Sequence, residues 1–154
     1  MPNPITFDPN SLYILLSDLG SERQFHWEFY LARTETDGQQ YHLVNNADTG
    51  HKWKYLSRCS TGTPKALMLL VAMKIAAMDP ALHGPLGVRL EAVSTAPPVT
   101  CRVWLKRALS DLDEEGFIQL TGSVADIELE LETAAVENRA RNIRSVGVSG
   151  FSLA

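Results

Sequence analysis

Phe25-His26-Trp27-Glu28-Phe29-Tyr30-Leu31-Ala32 is the stretch from which the fold can be read. Its aromatic side chains suit a pleated, half-buried surface, so the run is expected to be a strand. Strand alternation then divides it into two faces, with Phe25, Trp27, Phe29 and Leu31 on one and His26, Glu28 and Tyr30 on the other. A polar turn, Thr34 to Gln39, follows and contains Asp37-Gly38, a strong hairpin signal. Tyr41-His42-Leu43-Val44 is the natural partner strand. A second turn, Asn45 to Gly50, leads to a third strand over Lys52 to Arg58, so the segment predicts an antiparallel meander. Upstream, Tyr13 to Leu16 is a short apolar run closed by Ser17-Asp18-Leu19-Gly20, compatible with a buried strand.

Downstream the pattern changes. Ala66 to Met78 is apolar almost all round and bounded by Gly62-Thr63-Pro64 and Asp79-Pro80. Its composition allows a helix, but it reads better as a buried strand over Leu67 to Ile75. Leu82 to Val93 can hold a short helix, and Pro97-Pro98 is a stop. Thr100 is placed to cap a helix whose apolar positions are Trp104, Leu105, Ala108, Leu109 and Leu112, and Gly116 ends it. Ser123 with Asp126 three residues on predicts the start of a last helix, about Val124 to Arg144. The Gly- and Ser-rich tail from Ser145 reads as loose. The expectation is one α+β domain over residues 12–145, with 1–11 and 146–154 as flexible termini. Its small antiparallel sheet would pack against a Cys-bearing helix, with a C-terminal helix after it.

Composition bounds the function. A chain of 154 residues with 45% apolar and 21% charged residues fits one folded domain and excludes wholesale disorder. Its net charge of −4 argues against an electrostatic nucleic-acid binder, which needs a basic excess to displace counterions. No apolar run is long enough to span a membrane, and Met1-Pro2-Asn3-Pro4 does not open a signal peptide, so a cytoplasmic protein is expected. Two cysteines are too few for a disulfide framework and are expected to be thiols.

The chemistry-bearing candidates converge on one of those thiols. With Thr100 as N-cap, Cys101 is the first helical residue and lies on the buried stripe with Trp104 and Leu105. A thiol there meets unpaired main-chain N–H groups and the positive end of the helix dipole, which favour thiolate and can stabilise an oxyanion. Arg102 adds positive charge. The same position also suits a small residue filling a tight spot, and position alone leaves both readings open. Cys59 follows a strand and has no helix start beside it. His26 sits within an apolar strand and can take a proton from Cys101 if it faces that helix, although on its own a strand histidine is more often a satisfied structural residue. His42, one strand over, could orient the first imidazole. His51 and His83 lie beside turns and read as solvated. His26, His42 and Cys101 could together bind zinc, but no paired ligand spacing supports a metal, and no cofactor is expected. Phosphate loops, dinucleotide fingerprints and nucleophile elbows are missing from the sequence. Trp27, Tyr30 and Trp53, with Asn45 and Arg102 as polar contacts, are candidates to line a cleft for a small-molecule substrate.

The order of these motifs resembles the permuted papain-like thiol proteins, the NlpC/P60 and lecithin:retinol acyltransferase-like superfamily. In the acyltransferase members, a strand reading His-Trp-x-x-Tyr carries the base, as in His26 to Tyr30 here. The next strand carries a second His, and the nucleophilic Cys opens a later helix. The resemblance implies His26 as base, His42 as orienter and Cys101 as nucleophile. Where the acyltransferases read Asn-Cys-Glu-His-Phe, this chain has Thr100-Cys101-Arg102-Val103-Trp104, and their hydrophobic anchor is missing. That pentapeptide, with most of residues 12–145, is also similar to small fungal proteins known as a domain of unknown function. The implied activity is thiol-dependent acyl transfer or hydrolysis on an amide, ester or thioester. The alternatives are a tailoring enzyme that cyclises or isomerises a small metabolite, and a catalytically silent binding or interaction module.

Overall fold

A computed structural model describes residues 5–20, 24–63, 66 and 68–154. Met1 to Pro4, the Pro64-Lys65 part of the expected turn, and Leu67 at the expected start of a strand lie outside the described residues. Six strands form one mixed sheet in the order β4-β3-β2-β1-β5-β6. They are β1 Ser11–Asp18, β2 Phe25–Ala32, β3 Gly38–Val44, β4 Lys54–Ser60, β5 Leu69–Ala77 and β6 Ser145–Val148. Three α-helices accompany them: α1 His83–Glu91, α2 Cys101–Glu114 and α3 Val124–Arg141.

The expected meander is present, and β1 to β4 run antiparallel in sequence order. Its last strand starts two residues later than expected, because His51 takes a left-handed conformation (φ 58°) at the turn. The ambiguous segment is a strand, β5, antiparallel to β1. It is apolar all round because it is covered on both sides: Val71, Met73 and Ile75 enter the main core, while Leu69 and Ala72 enter a smaller core on the opposite face.

Three expectations need correction. The sheet is not purely antiparallel, since β6 pairs in parallel with β5. The C-terminal tail is not loose either. Beyond β6, the Ser149 N–H bonds Lys74 O at 2.9 Å and the Leu153 N–H bonds Gln119 O at 2.9 Å. Asn138, buried on α3, donates to Leu70 O (2.9 Å) and Ser145 Oγ (2.8 Å), which ties α3 to both strands. At the other end, Ile5 and Phe7 are buried against Tyr13, Leu15 and Tyr30 rather than solvated.

The helices cover one face of the sheet. Leu12, Ile14 and Leu16 of β1 and Phe25, Trp27, Phe29 and Leu31 of β2 meet Trp104, Leu105, Ala108, Leu109 and Leu112 of α2, with Ile127, Leu131 and Ala135 of α3. Trp104 is fully buried, in ring contact with Phe29 and Tyr55. Burying side chains of this size contributes about 1.5–3 kcal/mol each, so this layer fixes where α2 begins. Among the described residues, no helix is long and apolar enough to cross a membrane.

Candidate functional site

Thr100 is extended, and its hydroxyl accepts the Val103 N–H at 3.2 Å, so α2 starts at Cys101 as its sequence predicts. Arg107 fixes the approach to this start by donating to the carbonyls of Ser94, Ala96 and Pro98. Arg102, one residue into the helix, is held by Glu128 and Glu132 of α3 and lies over the Trp27 ring at 4.9 Å. Glu128 also takes Lys106 at 3.2 Å. The acidic face of α3 is therefore a clamp on the N-terminal turns of α2.

On the sheet side, the β2–β3 ladder ends at the pair Phe29–Tyr41, while β3 continues to pair with β4 as far as Val44–Lys54. The first half of β2 is thus paired only with β1. The Trp27 and Arg102 main-chain N–H groups and the His26 imidazole are the neighbours that act on the Cys101 thiol. Burial pushes the Cys101 thiol up, but these three donors outweigh it and hold the thiol below its ordinary value.

His26 is backed by a compact polar cluster. Its Nε2 lies 2.9 Å from His42 Nδ1 and 3.5 Å from Glu28 Oε2, and His42 Nδ1 lies 3.1 Å from the same carboxylate oxygen. With Nε2 so engaged, Nδ1 is the ring nitrogen outside this cluster. Burial alone lowers the basicity of His26; the Cys101 hydrogen bond, then the Glu28 hydrogen bond and charge, raise it to about 9. Glu28 is likewise pushed up by burial, and His26 and His42 outweigh this to hold its carboxyl well below the usual range. The other Glu28 oxygen accepts the Gln40 amide at 3.1 Å, and Gln40 in turn accepts Arg58 Nε at 2.8 Å. These residues line an open pocket of about 270 Å³ on the face of the sheet away from the helices, with Thr63 at its rim. Cys101 belongs to the helix-side core, whereas His26 lines the pocket.

The sequence-predicted residues divide accordingly. Cys101, His26 and His42 come together. Trp27 is buried under Arg102 and takes part through its main-chain N–H, not its ring. Arg102 is occupied by two carboxylates. Tyr30 is fully buried in the smaller core against Phe7 and lines no cleft at the cluster. Asn45 is exposed in the loop after β3, and Trp53 packs half-buried against the main core before β4. Sequence reasoning missed Glu28. The signal was available: two-residue alternation puts it on the His26 face, and the β2–β3 register carried one pair further sets it opposite His42. Cys59 is exposed on β4 beside Gln39 and Arg33, far along the sheet from α2. Compared with protein-family models, with curated proteins and with solved structures, the chain finds no match in any of the three.

Proposed function

We propose that the protein is a thiol-dependent acyl hydrolase or acyltransferase of permuted papain-like type. The observation that carries this reading is the contact between a helix-opening thiol and an imidazole that is itself backed by a carboxylate and a second imidazole. Cys101 gives its proton to His26 Nδ1, and the thiolate attacks the carbonyl carbon of an amide, ester or thioester. The carbonyl π electrons move to oxygen, and the resulting oxyanion faces the Cys101 main-chain N–H, the first-turn donor that neither the Thr100 cap nor the thiol occupies. Collapse breaks the bond to the leaving group, which takes the proton from His26. Water or an amine then attacks the thioester, with His26 as base, and Cys101 is released. Glu28 offsets the charge of the imidazolium, and His42 fixes its ring.

Substrate must present its carbonyl at the N-terminus of α2, because Cys101 is only 8% exposed. A second reading, noncovalent binding of a small polar molecule, is favoured by the placement of the pocket on the imidazole side. Steady-state turnover of a panel of p-nitrophenyl esters and aryl thioesters separates the two. The acyl reading expects turnover that Cys101→Ser abolishes and His26→Asn reduces by at least about a hundredfold, the usual scale for a general base. Turnover unaffected by Cys101→Ser overturns it.

A further inference from the structure

We propose that His26, Glu28 and His42 form a three-ligand site for a divalent transition-metal ion of the zinc class. The site shares His26 with the thiol reading but does not rest on it. His26 Nε2, His42 Nδ1 and Glu28 Oε2 are 2.9, 3.1 and 3.5 Å apart. Ligand atoms about 2.0–2.2 Å from one ion, at angles between right and tetrahedral, are separated by about 2.9–3.5 Å. The triangle therefore has the size of one face of a coordination shell. Two imidazoles and one carboxylate are also a donor set that suits such ions.

Proton accounting points the same way. Each ring nitrogen has a single in-plane direction for a proton or a lone pair, and an ionised carboxylate only accepts. If the His42 Nδ1–H donates to Glu28, it cannot also accept from His26 across 2.9 Å. If it accepts from His26, its lone pair faces the carboxylate at 3.1 Å. No placement of protons makes all three contacts favourable, whereas a single cation does.

The surroundings have the remaining features of a metal centre. The Arg58–Gln40–Glu28 chain holds the carboxylate by its other oxygen and leaves Oε2 for the ion, which is the outer-shell support that metal ligands need. Glu28 and His42 are buried, and the pocket they line leaves room for water or substrate to complete the shell. Cys101 is outside the donor set, so the zinc combination considered from the sequence is replaced by one with Glu28 in its place. With an ion on Nε2, the single proton of the His26 ring resides on Nδ1, and the ring cannot accept the thiol's proton. The metal would then hold the thiol chemistry off.

The test is a titration of the chelator-treated full chain with Co(II), followed by visible absorption, and then displacement by Zn(II). One equivalent per chain is expected. His42→Ala and Glu28→Gln should each weaken binding at least about tenfold, and Gln40→Ala, which leaves the ligands intact, by about tenfold. Cys101→Ser should bind as the wild type does. Circular dichroism checks that each variant folds; if His42→Ala does not, Glu28→Gln and Gln40→Ala decide. Failure to bind Co(II) or Zn(II), or affinity unchanged in the folded variants, overturns the proposal, the latter by pointing to His51 or His83. Metal binding by a chain whose chelator-treated form shows no acyl turnover would overturn the acyl reading alone.

Discussion

Replacing His26 by Asn removes the imidazole that faces Cys101 and leaves the Trp27 and Arg102 N–H donors in place. A hydrogen bond to a charged group is worth about 1.5–3 kcal/mol, and one pKa unit corresponds to about 1.4 kcal/mol. The thiol should therefore titrate higher in the variant. At a pH below both values, the thiolate fraction falls by about 10- to 100-fold. The more basic thiolate is intrinsically more nucleophilic, with a Brønsted slope of about 0.4–0.5, which returns about three- to tenfold. Alkylation at such a pH should be about 3- to 16-fold slower, a net figure that follows from the same slope. The assay is iodoacetamide labelling in a Cys59→Ser background after chelator treatment, followed by intact mass across a pH series. Because Cys59 is exposed, its removal is needed for a clean signal. An unchanged rate and an unchanged midpoint in His26→Asn would show that the imidazole does not act on the thiol.

Acid stability should report Glu28. Its carboxyl is depressed in the fold, so its stabilisation is complete above the unfolded value of 4.5 and is lost as pH falls through the folded value of about 2. Urea unfolding from pH 7 to pH 3 should weaken more steeply in the wild type than in Glu28→Gln, by on the order of 2 kcal/mol; parallel curves would contradict the His–Glu contacts. Thr100→Ala should lower stability by about 0.5–2 kcal/mol in thermal or urea unfolding, as expected for loss of an N-cap. The same variant should also slow Cys101 alkylation, because the thiol's place depends on where α2 starts; unchanged alkylation would separate cap from site.

Local rules made much of the architecture legible. Alternation placed His26 and Glu28 on one face of β2, and Thr100 and Ser123 marked the starts of α2 and α3, the latter with its reciprocal Ser123–Asp126 bonds. What was not legible depends on partners distant in the chain. Ser145-Val146-Gly147-Val148 has little strand signature of its own and is a strand because β5 and Asn138 receive it. Glu28 reads as an ordinary strand acid until the β2–β3 register sets it against His42. The occupation of Arg102 was hidden for the same reason: its carboxylates come from α3, 26 and 30 positions further along. Nothing local to β2 tells that the β3 ladder stops at Phe29 and leaves the first half of β2 paired only with β1.

Thiol-dependent acyl transfer requires a covalent acyl intermediate on Cys101. The most direct measurement is intact-protein mass spectrometry after brief mixing of the chelator-treated chain with p-nitrophenyl acetate, quenched in acid and followed by peptide mapping. One acetyl group (about 42 Da) is expected on Cys101, formed faster than on Cys59 and lost again on standing as water attacks the thioester. No adduct on Cys101, or the same adduct formed equally fast on Cys59, would contradict it.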